Sequence, residues 1–314
     1  MPKISVIVPI YNVEQYVSDC LQSLVEQTLS DIEIICVNDC GKDKSMQIVK
    51  EFAARDERIR IVKNWRNRGL SYSRNHGMRY ARAPYVMYCD SDDMFMSDTC
   101  EKMYNAITTY NTDVVIGNIH IIYEANHDLK ESDAKFFRVP TVGAFDIPQN
   151  KKYICYGSAW GKIYRRDIII DNNLTFPNGL KHEDEFFWPA FCSIAKRVGF
   201  IDDVIYQYRR RAGSIMNVAY KQNKLNLDPL KILKLYFKYT NRQNVFWGQR
   251  NWFWGEMMPA MLSAAIKYSG CDKEPECLNF LYRFIKQNWS PYDINLDIQK
   301  TVQKIMSRAE NMPY

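Results

Sequence analysis

The sequence lacks the long apolar runs of an integral membrane protein. No uninterrupted apolar stretch approaches the ~18 residues that a bilayer-spanning helix needs. At the start of the chain, Pro2 and Lys3 lead directly into the short apolar run from Ile4 to Val8, which does not match a secretory signal peptide. These absences predict a cytoplasmic protein, with peripheral attachment to the inner face of the membrane as an alternative.

Histidine and cysteine patterns typical of metal sites are also missing. The chain has four histidines, at positions 76, 120, 127 and 182, and their spacing matches no ligand motif. Its nine cysteines, an odd number, are scattered through apolar segments without a C-x-x-C pair. We therefore expect reduced thiols in the core rather than a structural zinc site.

Net charge is unevenly distributed along the chain. Residues Tyr220 to Tyr314 contain 14 Lys and Arg against 8 Asp and Glu, so that of totals of 42 and 36 the first 219 residues hold 28 of each. The same C-terminal stretch holds four of the seven tryptophans and has helical apolar spacing. We predict a charge-balanced domain at 1–219 and a basic, aromatic, helical region at 220–314. That region either completes the core or faces an anionic membrane. Nucleic-acid binding is a further alternative, but no nucleic-acid module is recognisable, and we expect no nucleic-acid partner.

Strand and helix patterns alternate over the first ninety residues. Apolar, β-branched runs predict strands, and apolar positions three and four apart predict the helices between them. Such alternation is typical of an α/β fold with a parallel sheet, in which ligands bind beyond the carboxyl ends of the strands. The predicted strands are Ile4–Val8, Ile32–Val37, Ile59–Val62 and Tyr85–Cys89, with helices from Val13, near Met46–Phe52 and at Tyr72–Tyr80. The loops expected to form the site are 9–12, 38–43, 63–69 and 90–93.

Beyond Asp113 the pattern is less regular. We predict strands at Val114–Asn118, Ala159–Tyr164 and Val204–Tyr208, and a polar, loop-rich insertion from Glu124 to Pro148.

The strongest local motif is Asp90-Ser91-Asp92-Asp93, which follows an apolar strand. Carboxylates this close repel one another unless a cation lies among them. Mg²⁺ and similar hard cations are commonly held by one or two carboxylates together with substrate phosphates. The motif therefore indicates a divalent-cation site beside a diphosphate, with an acidic turn or helix N-cap as the alternative.

Two further loops carry residues suited to a nucleotide. Asp39 follows the second strand, where its carboxylate is able to accept a hydrogen bond from a nucleobase N–H. Asn67 and Arg74 lie between the third strand and its helix, and the planar guanidinium of arginine matches phosphate geometry. An ordinary surface arginine is the alternative for Arg74.

An ordered set of motifs now points to a family. It comprises Ser5–Asn12, Gln27-Thr28, Glu33–Asp39, Asn67–Gly77, Tyr85–Asp93, Trp160–Tyr164, His182-Glu183-Asp184 and Tyr208–Ser214. With these motifs, residues 3–215 resemble glycosyltransferase family 2, the inverting enzymes of GT-A fold that use nucleotide sugars. The resemblance implies a GT-A type, Rossmann-like, mostly parallel sheet flanked by helices, followed here by the helical C-terminal region.

The resemblance also implies roles for individual residues. Pro9 and Tyr11 flank the uracil, Asp39 binds it, and Asp90 contacts the ribose or stabilises the site. Asn67, Arg74 and Ser91 complete the nucleotide-sugar site. Asp92, the last residue of a D-x-D motif, holds Mn²⁺ or Mg²⁺ at the diphosphate, with Asp93 as a candidate second contact. One departure is that Asn38-Asp39-Cys40-Gly41 stands where the family often has Asp-Asp-Gly-Ser, so the glycine comes one position later.

The resemblance makes Asp184 the catalytic base that deprotonates the acceptor hydroxyl. The residues themselves support this role, because Phe186, Phe187 and Trp188 follow and a carboxylate against aromatic rings has a raised pKa. Glu183 is the second candidate, and a charged helix start is the alternative interpretation. Lys162, Arg210, Arg211 and Ser214 are candidates to meet the diphosphate or an anionic acceptor, or else carry solvated surface charge.

These observations predict a metal-dependent hexosyltransferase acting on a UDP-sugar. The expected acceptor is a glycan or lipid-linked glycan of a bacterial cell-surface polysaccharide, such as lipopolysaccharide or capsule. Alternatives are a nucleotide-sugar-binding protein without catalysis, a transferase with a polyprenyl phosphate acceptor, and an RNA-associated protein acting through the C-terminal region.

Overall fold

The computed structural model describes residues 1–125, 128–137, 141–147, 157–210 and 228–242. The chain divides into two compact units, Met1–Val218 and Ala219–Tyr314. In the second unit the described element is one helix, Asp228–Arg242, here α7. The rest of the predicted helical region at 220–314 lies outside the described residues. Within the described part, no helix is both long and apolar enough to cross a membrane.

The first four strands are parallel and confirm the predicted α/β class. They are β1 (Ile4–Ile10), β2 (Ile32–Asn38), β3 (Ile59–Lys63) and β4 (Tyr85–Tyr88). The helices between them are α1 (Val17–Val25), α2 (Ser45–Ala53) and α3 (Leu70–Tyr80). β1 and β2 are nearly continuous runs of buried side chains, as expected for strands covered by helices on both faces.

Within the described residues, the remaining elements extend this sheet to ten strands. They are β5 (Met94–Phe95), α4 (Thr99–Tyr110), β6 (Val114–Ala125), β7 (Asp128–Phe137), β8 (Gly143–Asp146), β9 (Lys162–Arg165), α5 (Arg166–Asp171), α6 (Asp184–Ile194) and β10 (Arg197–Arg210). The strand order is β3-β2-β1-β4-β9-β6-β10-β5, with β7 paired to β6 and β8 to β10. β9 is antiparallel to both neighbours, so β6 and β10 run in the direction of β4. The sheet is therefore mostly parallel, as predicted.

The predicted loop-rich insertion at 124–148 is wrong in part, because it contains the whole of β7 and β8. The sequence of β7, DLKESDAKFF, has no regular apolar alternation. Its backbone instead pairs with β6, away from the main path of the sheet. A strand stabilised chiefly by backbone pairing leaves little trace in a hydrophobicity pattern.

Several predicted boundaries also shift. The strand predicted at Ala159–Tyr164 begins only at Lys162, because Gly161 adopts a left-handed backbone conformation with a φ of 74°. Helix α1 begins at Val17 rather than Val13, and α3 begins at Leu70, two residues before the predicted start. The strand predicted at Val204–Tyr208 is part of the longer, irregular β10.

Helix α3 approaches the sheet closely because its buried face is made mostly of small residues. A Cβ atom at Gly77 would lie 2.6 Å from Ile7 Cγ2 on β1 and 3.0 Å from Val37 Cγ2 on β2. Arg74 lies one turn earlier on the same buried face. The absence of a side chain at Gly77 therefore allows α3 to lie close to the sheet, and this determines the distance between the Arg74 guanidinium and the sheet.

We predict that Gly77→Ala destabilises the protein by about 1–3 kcal/mol through overpacking against Ile7. The gain in helix propensity of up to ~1 kcal/mol is too small to offset this clash. The measurement is the urea midpoint of unfolding. Arg79→Ala, on the exposed side of the same helix, is the control and is expected to change stability by at most ~0.5 kcal/mol. An unchanged or raised midpoint for Gly77→Ala would contradict the packing argument.

Candidate functional site

The candidate site is built from loops at the carboxyl ends of β1, β2 and β4, which are neighbours in the sheet. The loops after β1 and β2 are joined by a hydrogen bond from Lys42 N–H to Asn12 Oδ1 at 2.8 Å. The loop after β2 is joined in turn to the start of α3 through Asp39. The structure thus brings all four predicted site loops to one edge, because Arg68 and Gly69 belong to the loop 63–69 that precedes α3.

Asp39 is buried and its carboxylate organises the start of α3. Oδ1 accepts hydrogen bonds from Asn64 Nδ2 and from Arg68 N–H, both at 2.7 Å, and Oδ2 accepts one from Gly69 N–H at 2.8 Å. A carboxylate at a helix N-terminus satisfies backbone donors and interacts favourably with the helix dipole. Asp39 therefore has a structural role in addition to the nucleobase contact predicted for it, and Oδ2 has the greater remaining capacity for a further donor.

In the turn after Asp39, Cys40 stands where a glycine is expected, and the glycine follows at position 41. Cys40 has a φ of 59°, a conformation that costs most non-glycine residues about 1–2 kcal/mol. It occupies the position where the family often has glycine. At the next position, a Cβ atom on Gly41 would lie 2.8 Å from Asn12 Oδ1 and 2.9 Å from Asn12 N. The glycine is needed at 41 because the loop after β1 leaves no room for a side chain there.

The other predicted nucleotide-sugar residues line the same edge with different exposure. Pro9 is buried in β1 and paired with Val37, whereas the Tyr11 ring is 46% exposed just beyond the strand. Asn67 is exposed, and its Oδ1 accepts a hydrogen bond from Gly69 N–H at 3.1 Å. Ser91 is buried within the acidic loop. Tyr11 and Asn67 are therefore the two that offer open surface to a ligand.

Arg74 occupies a different environment from the one predicted. Its side chain is 2% exposed, with Nη2 2.6 Å from Asp90 Oδ1 and Nη1 2.5 Å from Glu183 Oε1. Burial alone would lower the pKa of this guanidinium, but Asp90 and Glu183 outweigh it and raise the pKa. Nε has no hydrogen-bond partner among the described residues. This geometry supports a bridge between two carboxylates rather than the predicted phosphate contact.

The acidic loop that follows β4 is clamped from β10. Tyr206 O–H donates to Asp93 Oδ2 at 2.7 Å, and the same oxygen of Tyr206 accepts from Asp90 N–H at 3.1 Å. Arg209 donates from its backbone N–H to Asp93 Oδ1 at 2.8 Å and from Nε to the Asp92 carbonyl at 3.0 Å. These four hydrogen bonds fix the backbone of the loop on the side opposite to solvent.

Asp93 is consequently a structural hub of this loop. It is 1% exposed, and burial, followed by repulsion from Asp92 and Asp90, raises the pKa of its carboxyl group well above the usual range. Because both oxygens already bind protein donors, this geometry does not support the hypothesis that Asp93 is a second metal contact.

Asp92 is the residue of this loop for which a cation is predicted. Its side chain is half-buried, as is that of Asp90, which pairs with Arg74. The described residues contain no group of three or more Asp, Glu, His or Cys arranged to hold a metal. A cation that takes one or two carboxylates and completes its shell with phosphate oxygens and water does not require such a group. The residues present therefore fit Mg²⁺ or Mn²⁺ bound together with a diphosphate.

The predicted base lies at the start of α6, across Arg74 from Asp90. Glu183 precedes the helix and is 5% exposed, and Asp184 is its first residue and half-buried. Burial raises the pKa of both carboxyl groups, while Arg74 partly opposes the rise. Asp90 also contributes to the raised pKa of Asp184, which places the two carboxylates within electrostatic reach. The charged helix start that was the alternative interpretation is therefore also present.

Of the candidates for contact with a diphosphate or an anionic acceptor, Lys162 and Arg210 lie within the described residues. Lys162 is 1% exposed, with Nζ 4.7 Å from the centre of the Trp188 ring and 2.5 Å from the Ser158 carbonyl. Burial lowers the pKa of Lys162 to about 7. Its surroundings do not support the predicted contact with a diphosphate. Arg210 is exposed, and Arg211 and Ser214 lie outside the described residues.

Sequence reasoning missed the roles of Tyr206 and Arg209. Both belong to segments singled out as a strand or a motif, yet neither received a function. The available signal is chemical: a tyrosine and an arginine near the end of an apolar strand are suited to a buried carboxylate elsewhere in the fold. The partner, Asp93, is more than a hundred positions away, so no local pattern identifies it.

We predict that Tyr206→Phe destabilises the protein by about 1–3 kcal/mol, because Asp93 loses a donor and Asp90 N–H loses an acceptor while the ring is kept. Thermal and urea unfolding provide the measurement. Combining it with Asp93→Asn in a double-mutant cycle isolates the pair, and a coupling of at least ~0.5 kcal/mol is expected. Additive effects would show that the hydroxyl does not act through Asp93.

The chain is similar in sequence to known glycosyltransferases. The model of the family described as Glycosyl transferase family 2 matches residues 5–171. GlyG, a glycosyltransferase of Streptococcus pneumoniae serotype 4, is 31% identical over 231 residues, which cover 69% of this chain and 74% of that protein. GlyA of the same organism is 35% identical over 223 residues, or 69% of this chain. The match spans only 32% of the length of GlyA.

A third relative and two solved structures extend the comparison. A poly(ribitol-phosphate) beta-glucosyltransferase of Bacillus spizizenii is 30% identical over 69% of this chain and 34% of its own length. TarS 1-349 of S. aureus in complex with UDP-GlcNAc has a TM-score of 0.76 at 24% identity, and the match covers 90% of this chain and 81% of that TarS chain. The mannosyltransferase PcManGT from Pyrobaculum calidifontis, in complex with GDP-Man and Mn2+, has a TM-score of 0.53. Both structures have the fold of this chain.

Proposed function

The chain belongs to glycosyltransferase family 2, and from this membership we propose that it transfers a hexose or N-acetylhexosamine from a UDP-sugar to a glycan hydroxyl, with inversion. It is a glycosyltransferase of GT-A fold. The UDP-sugar donor is supported by TarS, which is solved with UDP and with UDP-GlcNAc. A glycan or lipid-linked glycan of a cell-surface polysaccharide is supported as acceptor by the relative that glucosylates poly(ribitol-phosphate).

The bridge through Arg74 carries this proposal. It joins Asp90, in the loop beside the candidate cation site, to Glu183, the residue before the candidate base. Direct displacement at a sugar carbon needs a donor site on one side and a base on the other, aimed at the incoming hydroxyl. A buried cation that pairs with both segments holds them in a defined relation while each keeps a second carboxylate, Asp92 and Asp184, for chemistry.

In the proposed mechanism Asp39 and Tyr11 hold the uracil, and Asp92 would hold Mn²⁺ or Mg²⁺. The ion, when bound, offsets the charge of the departing diphosphate. Asp184 accepts the proton of the acceptor hydroxyl as the new C–O bond forms and the bond to the UDP oxygen breaks. Its raised pKa suits a base that works near neutral pH. Glu183 is the less favourable base, because Arg74 already holds its carboxylate.

Three alternative functions differ from the proposed one in the residues or binding properties that they require. A binding protein without catalysis would lack Asp92 or Asp184, and this chain has both residues. A polyprenyl phosphate acceptor would present a phosphate oxygen, which needs no base, so that Asp184 would be dispensable. An RNA-associated role would require salt-sensitive RNA affinity.

We propose, as a separate point, that the region 220–314 serves acceptor or membrane contact. In α7, Lys231, Lys234 and Lys238 are exposed, while Ile232 and Tyr236 are buried. Leu235 adds exposed apolar surface to the lysines. Such a face is compatible with an anionic glycan or lipid surface.

The function is tested by hydrolysis and transfer assays with UDP-glucose, UDP-galactose and their N-acetyl forms. We predict that Asp184→Asn lowers turnover by ~10²–10⁴-fold with little change in the KM of the UDP-sugar, because the amide keeps the shape but takes no proton. Glu185→Gln, the next carboxylate on α6, is the matched control and should stay close to wild type. EDTA should abolish activity until Mn²⁺ or Mg²⁺ is restored.

The outcomes of these assays are distinct. An active Asp184→Asn variant together with an inactive Glu183→Gln variant would assign the base to Glu183. If both variants keep full activity, the base lies elsewhere. Full activity in EDTA would exclude the metal, and failure with every UDP-sugar would exclude the proposed donor.

A second prediction concerns the pH dependence of turnover. A base works only when deprotonated, so kcat should fall as the pH drops through the raised pKa of Asp184. Arg74 lowers that pKa, so removing its charge in Arg74→Met should move the acidic limb to higher pH. Arg74→Lys keeps the charge and should leave the limb near its original position, although the two-sided bridge is weakened. Equal shifts in both variants would show that charge is not the cause.

A further inference from the structure

Lys162 is a buried lysine that the proposed mechanism does not use. It is the first residue of β9, which runs antiparallel to β4, and the next residue, Ile163, pairs with Met87. Lys162 therefore lies at the level of Tyr88, the last residue of β4, after which the acidic loop begins. The register of the sheet thus places this lysine at the same edge as the candidate site.

The ammonium group of Lys162 is held by polar and aromatic groups. Nζ lies 2.5 Å from the Ser158 carbonyl oxygen and 3.2 Å from Ser158 Oγ, which use two of its three donors. The same atom lies 4.7 Å from the centre of the Trp188 ring. Lys162 is only 1% exposed and forms no salt bridge within the described residues. A cation buried in this way requires negative charge in its surroundings.

That negative charge comes from the start of α6. Trp188 lies four residues after Asp184, so the two side chains share one face of the helix. Side chains on a helix lean toward its N-terminus, so the Trp188 ring, with the Lys162 ammonium against it, lies toward Asp184. The titratable groups of α6 that face Lys162 are Cys192, Asp184 and Glu185.

The electrostatic interaction between Lys162 and Asp184 acts on both groups. Burial lowers the pKa of Lys162 to about 7, and the carboxylate of Asp184 opposes this fall. Burial raises the pKa of Asp184, and Lys162 opposes that rise. The ammonium form of Lys162 predominates below about pH 7, and its charge favours the ionised form of the carboxyl group.

Charged groups from other elements also face Asp184. Besides burial, the groups that act on its pKa are Arg74 and His182, which lower it, Asp90, which raises it, and Lys162, with Glu183 and Glu185 adjacent in sequence. The charge of Arg74 is shared between its two salt-bridge partners, Asp90 and Glu183. Lys162 has no such partner among the described residues, so its charge acts mainly on α6.

We propose that Lys162 is a positioning residue of the transfer reaction, whose buried ammonium holds Asp184 in the ionised state that accepts the proton of the acceptor hydroxyl. The inference rests on the proposed function for the identity of the base. It assigns to Lys162 an effect through Asp184 rather than through contact with donor or acceptor. A merely structural lysine would hold the loop at Ser158 by hydrogen bonds, and its charge would not influence Asp184.

The test is the titration of the Asp184 carboxyl group in the full-length protein, labelled with ¹³C in its aspartate carboxyl groups and followed by NMR without a sugar donor. The signal that is absent in Asp184→Asn belongs to Asp184. Lys162→Met removes the charge and keeps the length of the side chain, whereas Lys162→Gln also keeps a donor for the Ser158 carbonyl. Lys196→Met, the same change at an exposed position beyond the other end of α6, is the matched control.

We expect Lys162→Met and Lys162→Gln to raise the midpoint of the Asp184 titration by about 0.5–1 pH unit, because a nearby positive charge is lost. Lys196→Met should move it by less than about 0.2 pH unit, because solvent and salt screen an exposed charge at that distance. In transfer assays the acidic limb of kcat should move with the midpoint, at unchanged KM for the UDP-sugar.

A reciprocal measurement covers the case in which the Lys162 variants do not fold. In the Asp184→Asn variant, the lysine that titrates near pH 7 should titrate at a pH lower by about 0.5–1 unit, because the negative charge that favours its ammonium form is gone. Labelling of the lysine side chains with ¹³C makes this titration visible. An unchanged lysine titration would contradict the proposal.

Three further results would overturn it. These are an unmoved Asp184 midpoint in both Lys162 variants, a shift in Lys162→Met that Lys162→Gln abolishes, and an equal shift in Lys196→Met. The second would assign a hydrogen-bonding role, and the third a general effect of net charge. If the midpoint shifts as expected but no UDP-sugar is used, the interaction is supported and the proposed function fails. If transfer occurs and the midpoint is unmoved, only the role of Lys162 fails.

Discussion

The structure of the site depends on the buried guanidinium of Arg74. A cation removed from water is tolerated only when its charge is matched and its donors are used, and here Asp90 and Glu183 provide both. The two carboxylates come from segments separated by the whole middle of the first unit. Removing one partner would leave a buried charge uncompensated, so the acidic loop and the start of α6 are held in one relation.

The fold supplies what this ion pair requires. Gly77 lets α3 lie against β1 and β2, and Asp39 fixes the first turn of the same helix through Arg68 and Gly69. On the other side of the acidic loop, Tyr206 and Arg209 hold Asp93 and the loop backbone. The loop is thus fixed through its backbone and its buried carboxylate, while the side chains of Asp90 and Asp92 are half-buried. The same arrangement keeps mutually repelling carboxylates apart by giving each a different set of partners.

The carboxylates of the site divide into two groups by environment. Those with both oxygens engaged by protein donors, Asp39 and Asp93, shape the loops. Those with open surface, Asp92 and Asp184, are the candidates for chemistry. The positive charges divide in a similar way, because Arg74 and Lys162 are buried in the fold whereas Lys63, Arg66 and Arg79 face outward along β3 and α3. Burial and hydrogen bonding, rather than residue type, therefore distinguish the groups that shape the loops from the candidates for proton transfer and cation binding.

The sequence by itself determined the parallel strands β1 to β4, the loops at their carboxyl ends and the identity of the acidic motifs. Each depends on apolar periodicity or residue chemistry within a short stretch of chain, which is visible without coordinates. Only the tertiary structure decided which residues from distant parts of the chain contact one another in the site. Glu183 lies 109 positions from Arg74 in sequence, and Tyr206 lies 113 positions from Asp93. Glycine is required at position 41 because a side chain there would collide with Asn12, which is distant in sequence. β7 was not predicted from the sequence for a related reason: this strand is stabilised by pairing with β6 and has no regular apolar pattern of its own. Contacts between distant segments are set by topology, and no local pattern encodes them.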